Sequence, residues 1–291
     1  MAGGSGLRIA ITGANGNLGR KLVAAFLSDP DVAILRALDL EFGNVPPQNC
    51  SRIEPVLVDL RKDRLEEALG ASGHVVHLAA QNPFPDASWE EASASFDMTA
   101  RLAEAAARTG ARRFVFASSN HVMGGYKDTV IAQSDGGLTT DLPPLVGTQI
   151  RTAGGFTNSA PYATAKLMGE RLLFAKAESG AFSAVSLRIG WCQPGENSPL
   201  TLSAAGTPKT GTAGADHDFL RDLRWFRAMW LSNGDLARCV LAAVKADASR
   251  WPSRAIVVNA VSANPPTPWD LSAGRSLIGY EPADNVWSEI R

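Results

Sequence analysis

A chain of 291 residues, 45% apolar and 20% charged with a formal net charge of −1, can bury a large core. It carries no electrostatic footprint for nucleic acid or an anionic membrane, so a small-molecule partner is expected. Three scattered cysteines, Cys50, Cys192 and Cys239, form neither a disulfide framework nor a zinc site; with no signal-peptide pattern and no membrane-length apolar run, a cytoplasmic protein is expected.

In chain order, short β-branched or Leu-rich runs at 7–12, 32–38, 53–58, 74–79, 113–118, 184–189 and 255–260 read as strands. Between them, helical periodicity is expected at about 17–28, 63–70, 88–109, 160–179 and 233–247. The third helix has a capping-box start, Ser88 with Glu91, and a glycine stop at Gly110. Such alternation predicts an α/β fold, a doubly wound parallel sheet with helices on both faces. Two stretches break the rhythm, 124–158 and about 191–231, the latter passing a glycine-rich tract at 204–217 before a Trp-rich helical end. The predicted division is therefore a dinucleotide domain over 1–190 and a small substrate lobe over 191–291, which returns the strand at 255–260 to the sheet.

The first strand runs into Gly13, Gly16 and Gly19, a spacing that lets backbone N–H groups approach a pyrophosphate at the start of the following helix. Asp39 closes the second strand 20 residues after Gly19, where a carboxylate accepts ribose hydroxyls and repels a 2′-phosphate, favouring NAD over NADP. Asp59 and Leu60 end the third strand and either flank the adenine or begin a helix.

"SAPYATAK" sets Tyr162 and Lys166 one turn apart on one helix face. A phenol acting as a base near neutrality must ionise roughly two to three pH units below its ordinary pKa of about 10, and an adjacent ammonium favours that. Ser119, at the end of strand five with Asn120 and His121, is placed to hold the reacting oxygen. His74 and His77 fall on opposite faces of one strand, so no metal site is expected.

The quoted elements, with "TGANGNLG", "VDL", "HLAA", "FASSNHVMG", "YATAK" and "LIGYEPAD", resemble the extended short-chain dehydrogenase/reductase family over essentially the whole chain. "ASSNHVMGGY" and "LRIGWCQPGEN" are most similar to its uronate dehydrogenases. The resemblance implies a Rossmann sheet, NAD, and oxidation of the anomeric carbon of a free acidic hexose, either a hexuronate or a 6-sulfo sugar, to a lactone. Ser119, Tyr162 and Lys166 would be catalytic. Gly13, Gly16, Asn17, Leu18, Gly19, Asp39, Leu40, Asp59, Leu60, Leu78, Ala79, Ala80 and Ile189 would line the cofactor, with Tyr162 and Lys166. Asn82, Ser119, Asn120, His121, Trp191, Arg151 and Arg224 would face the sugar, Arg221 and Arg227 being further candidates for gripping an anion.

Departures from the uronate dehydrogenase pattern are Trp191 in place of a small hydroxyl residue, Gln81 and Asn82 in place of a serine, and a long separation of 43 positions from Ser119 to Tyr162. A nucleotide-sugar epimerase or dehydratase, or a silent NAD-binding protein, is the alternative. A homo-oligomer built on helices 88–109 and 160–179 is expected by the same resemblance.

Overall fold

The structure is a computed structural model describing residues 6–43, 50–84, 86–152, 155–204, 217–288 and 290. Among the described residues nine strands are formed: β1 (Leu7–Thr12), β2 (Val32–Asp39), β3 (Ile53–Leu57), β4 (His74–His77), β5 (Arg113–Ser119), β6 (Gln149–Thr152), β7 (Gly155–Asn158), β8 (Ser183–Ile189) and β9 (Ala255–Ala260). Six α-helices accompany them among the described residues: α1 (Asn17–Ser28), α2 (Leu65–Leu69), α3 (Trp89–Arg108), α4 (Ala160–Glu178), α5 (His217–Ala228) and α6 (Asn233–Lys245). Seven strands make one parallel sheet in the order β3-β2-β1-β4-β5-β8-β9, the doubly wound α/β arrangement expected, followed by a C-terminal helical region.

Period-two alternation divides the core between the two faces. Ile9 and Ile11 of β1, with Val115 of β5, pack with Leu22 and Phe26 of α1 and Val240 of α6. Ala10, Phe114 and Phe116 point the other way, toward Leu102 of α3 and Leu173 of α4. Every residue of β5 and of β8 is buried, as a sheet covered on both sides requires. Ser88 and Glu91 form the expected reciprocal cap of α3, and Gly110 follows it at φ 73°.

The sequence did not announce the antiparallel β6–β7 hairpin inside the first excursion. Its four-residue strands are too short and, on β7, too exposed to leave a burial period. Most of the glycine-rich tract, residues 205–216, lies outside the described residues. Among the described residues no helix is long and apolar enough to cross a membrane.

Candidate active site

The chain crosses from one side of β1 to the other between β3 and β4, and a cleft of about 880 Å³ opens at the carboxyl edge of the sheet. Gly13 turns away from β1 at φ 69°, and a Cβ on it would stand 2.9 Å from the Ala79 nitrogen. A Cβ on Gly19 would stand 2.0 Å from the Gly13 carbonyl oxygen, so only glycine lets α1 begin this close to the turn. Gly16 caps α1 without a side-chain hydrogen bond, leaving the first-turn N–H groups for a ligand. Asp39 accepts from the Asn15 and Leu40 nitrogens at 2.8 Å each, which fixes its carboxylate at the cleft wall. A glycine cradle, an uncapped helix start and a held carboxylate suit an adenine dinucleotide. Leu18, Leu60, Leu78, Ala80 and Ile189 also line the cleft.

Under the turn, His77 is fully buried between the Thr12 hydroxyl at 2.7 Å and the Thr99 hydroxyl at 3.0 Å. Thr99 donates onward to the Ser95 carbonyl, so it accepts from His77 Nε2–H, and Nδ1 accepts from Thr12. Burial holds this imidazole neutral, pushing it down to about 3. His74, on the opposite face, takes no part.

At the other end of the cleft stand Ser119, Tyr162 and Lys166. Pro161 sets the first turn of α4, and the turn from Tyr162 to Lys166 stacks the pair, with Nζ 5.6 Å from the phenol ring centre. Tyr162 is hydrogen-bonded to the Ser119 side chain, whose hydroxyl also accepts from the His121 nitrogen at 3.2 Å. Lys166 donates to the Ala117 carbonyl at 2.7 Å rather than to the phenol. Burial is therefore the largest influence on both groups: it raises the phenol above its ordinary 10, against the pull of Ser119, and lowers the ammonium to about 8. The sequence led us to expect the lysine to lower the tyrosine directly; the structure shows two buried groups whose proton affinities are pushed in opposite directions.

Beside them lie unsatisfied polar atoms. His121 Nδ1 meets the hydroxyls of Thr148 at 2.7 Å and Ser159 at 3.0 Å, and burial lowers the ring to about 4. With Nδ1 accepting those hydroxyl protons, the neutral ring carries its own proton on Nε2. That Nε2 and both polar atoms of the Asn120 carboxamide are buried without a partner, on residues lining the cleft. Such groups suit a ligand rich in hydroxyls. Trp191 closes the wall, its ring 6.0 Å from His121 and 5.3 Å from Phe226.

Two expected sugar contacts are not brought to this cleft. Asn82 is consumed locally, donating to Glu91 at 3.2 Å and accepting from the Phe84 nitrogen at 2.9 Å. Arg224 is exposed on α5, whose neighbouring Asp222, Trp225 and Phe226 face inward; Arg221 pairs with Asp128 and Asp218 at 3.1 Å. Neither Arg221 nor Arg227 lines the cleft. Arg151 does, carried in by the hairpin with Ile150 and Thr157, two contributors the sequence reading missed. Met229 and Cys192 were missed too. Asn17 and Lys21 of α1 hold the segment after β8 through the Cys192 carbonyl at 2.9 Å and the Gln193 carbonyl at 2.6 Å.

The sequence profile of the NAD dependent epimerase/dehydratase family matches residues 9–192. The chain is 31% identical over 287 residues to an L-arabinose 1-dehydrogenase (NAD(P)(+)) of Haloferax volcanii, covering 96% of this chain and 97% of that one. It is 25% identical to an NAD-dependent glucose-6-phosphate dehydrogenase of the same organism, over 95% and 93% of the two chains. Among solved structures, the uronate dehydrogenase from Agrobacterium tumefaciens is similar with a TM-score of 0.65 at 25% identity, covering 97% of this chain and 86% of that one.

Proposed function

Because the chain belongs to the NAD dependent epimerase/dehydratase family, we propose that it oxidises the anomeric C1 hydroxyl of a free acidic hexose, a hexuronate or a 6-sulfo sugar, to the lactone. The observation that carries this reading is the joint placement of Ser119, Tyr162 and Lys166 at one end of a cleft whose other end holds Asp39. When bound, the nicotinamide supplies a two-electron acceptor for the C1 hydride. Tyr162 removes the proton of the C1 hydroxyl, Ser119 holds that oxygen by a hydrogen bond, and Lys166 supports the phenolate. The C1–H and O–H bonds break as C1=O forms, the ring oxygen staying in place to give a lactone. His121 Nε2–H and the Asn120 carboxamide fix the remaining hydroxyls.

Arg151 is the group assigned to the acidic substituent. Asp222 has three cations around it, Lys127 at 2.5 Å, Arg221 at 3.2 Å and Arg151 at 3.9 Å. Of these three cations only Arg151 lines the cleft, and so it is the one that an incoming anion can share. Residues 191–291 are assigned the rest of the sugar-facing lobe.

The test is NADH appearance by its near-ultraviolet absorbance with glucuronate, galacturonate, sulfoquinovose, glucose and arabinose, with NAD and NADP in parallel. Acidic hexoses with NAD are expected to give the highest kcat/KM. Faster turnover of the neutral sugars would remove the acidic assignment and leave C1 oxidation standing. No net NADH from any sugar would remove the dehydrogenase reading in favour of an epimerase or a silent protein.

A pH dependence follows from the buried pair. Lys166 is pulled down to about 8 and Tyr162 is raised, so the pair loses its first proton near pH 8 as pH rises. The phenolate–ammonium form has lost that same single proton, so both arrangements share one macroscopic step. The expected profile of kcat/KM rises through a midpoint near 8 and levels above it. Lys166→Met, leaving burial alone to act on the phenol, should shift the rising limb to higher pH; an unmoved limb would show that Lys166 has no part in the titration.

A further inference from the structure

A second cavity, of about 220 Å³, is bounded by the loop at 140–144, by α4, and by β8 and β9, and it shares no lining residue with the cleft. Its size is below the roughly 300 Å³ at which pockets begin to enclose a drug-sized ligand, so an occupant must be small. Ser186 and Arg188, two positions apart on β8, both line it, as side chains on one face of a strand do.

Arg188 carries the chemistry of this cavity. Its side chain is 3% exposed, and it donates to Glu170 through Nε and Nη2 at 3.0 Å each, while Nη1 is buried without a partner. A guanidinium has five N–H groups, and the glutamate engages two of them. Both N–H groups of Nη1 and the second of Nη2 remain, so the Nη1–Nη2 edge is a fork that matches the two oxygens of one further carboxylate. A buried donor left in this state calls for a ligand.

The walls define the rest of the occupant. Leu142, Pro144, Phe174, Ile256 and Val257 give an apolar lining suited to a short hydrocarbon tail. Arg171 of α4, exposed on the same lining, adds a second cation, while Asp141 on the loop and Glu170 beside the fork oppose a dianion such as phosphate. Glu170 Oε1 also accepts from Ser118, which lines the cleft, so a single hydrogen-bonded chain, Arg188–Glu170–Ser118, joins the two cavities.

We infer that this cavity is a second ligand site, taking a short-chain aliphatic carboxylate on the open edge of Arg188. The inference is independent of the reaction performed in the cleft.

Titration of the full-length protein with butyrate, read by saturation-transfer NMR, tests it, with butyramide and inorganic phosphate as comparisons. Butyrate is expected to bind with a dissociation constant on the order of 1–10 mM, and butyramide, which keeps the size and loses the charge, about tenfold more weakly or less tightly still. Ala255→Phe fills the cavity from β9. Phe174→Glu changes a side chain that is already 46% exposed and sets a like charge on the lining, so it leaves the core intact. Each should abolish the butyrate signal, whereas Arg151→Ala, which removes a guanidinium from the cleft, should leave it unchanged. Butyrate binding that survives Phe174→Glu, or is lost in Arg151→Ala, would place the acid elsewhere and overturn the inference. Equal binding of butyramide, tighter binding of phosphate, or no signal from butyrate at tens of millimolar would overturn it too.

Discussion

Tyr162→Phe is expected to lower kcat by about 10²- to 10⁴-fold, the usual scale for loss of a positioned acid–base group. The substitution removes one oxygen and its bond to Ser119. The ring remains to fill the buried position and to keep its edge-on packing 5.8 Å from the His121 ring. NAD titration should therefore stay close to wild type while turnover collapses, placing the loss in the chemical step. A variant that turns over within a few-fold of wild type on the best substrate would show that another group takes the proton. Because burial raises this phenol, the activity that survives in the wild type at low pH should also be small.

The largest expected effect on stability lies one strand away. Glu170 of α4 and Arg188 of β8 form a bidentate pair, Nε to Oε1 and Nη2 to Oε2 at 3.0 Å each, with side chains 4% and 3% exposed. Ser118 donates to Glu170 Oε1 at 2.5 Å, so the glutamate gathers α4, β5 and β8 behind Ser119. Glu170→Ala leaves a buried guanidinium without its counter-charge and should cost about 3–5 kcal/mol. The loss is measured as a fall in the urea midpoint. Adding Arg188→Met removes the stranded charge and should recover part of it. If Glu170→Ala melts within about 1 kcal/mol of wild type, the pair is not the tie described.

All seven strands of the parallel sheet were legible in the sequence because buried strands in such sheets read as continuous β-branched runs. That Gly13, Gly16, Gly19 and Asp39 line one part of the cleft was legible because glycine spacing and a terminal carboxylate are local requirements of a turn and a strand end. Tyr162 and Lys166 were legible for the same reason, one helical turn fixing their relation. The sugar half depends on long-range packing. Arg151 enters on a hairpin whose short strands carry no period, and Asn82 spends its carboxamide on a helix start that only the folded loop reveals. Arg224 sits two places after buried Asp222 and directly before buried Trp225 and Phe226, so a helical wheel of α5 already turns it outward.

The first excursion leaves and rejoins the site through a narrow neck. Gly147 N–H donates to the His121 carbonyl at 3.0 Å, Thr148 N–H donates to the Ser159 hydroxyl at 2.8 Å, and Ser159 N–H returns to the Thr148 carbonyl at 3.1 Å. Entry and exit are therefore clasped together immediately before Tyr162, whatever lies between them. Lengthening or exchanging the intervening residues alters the surface presented to the cleft without shifting Tyr162 relative to Ser119. A lineage can in this way vary the lining of the cleft by trading one stretch of chain while the arrangement of Ser119, Tyr162 and Lys166 stays untouched.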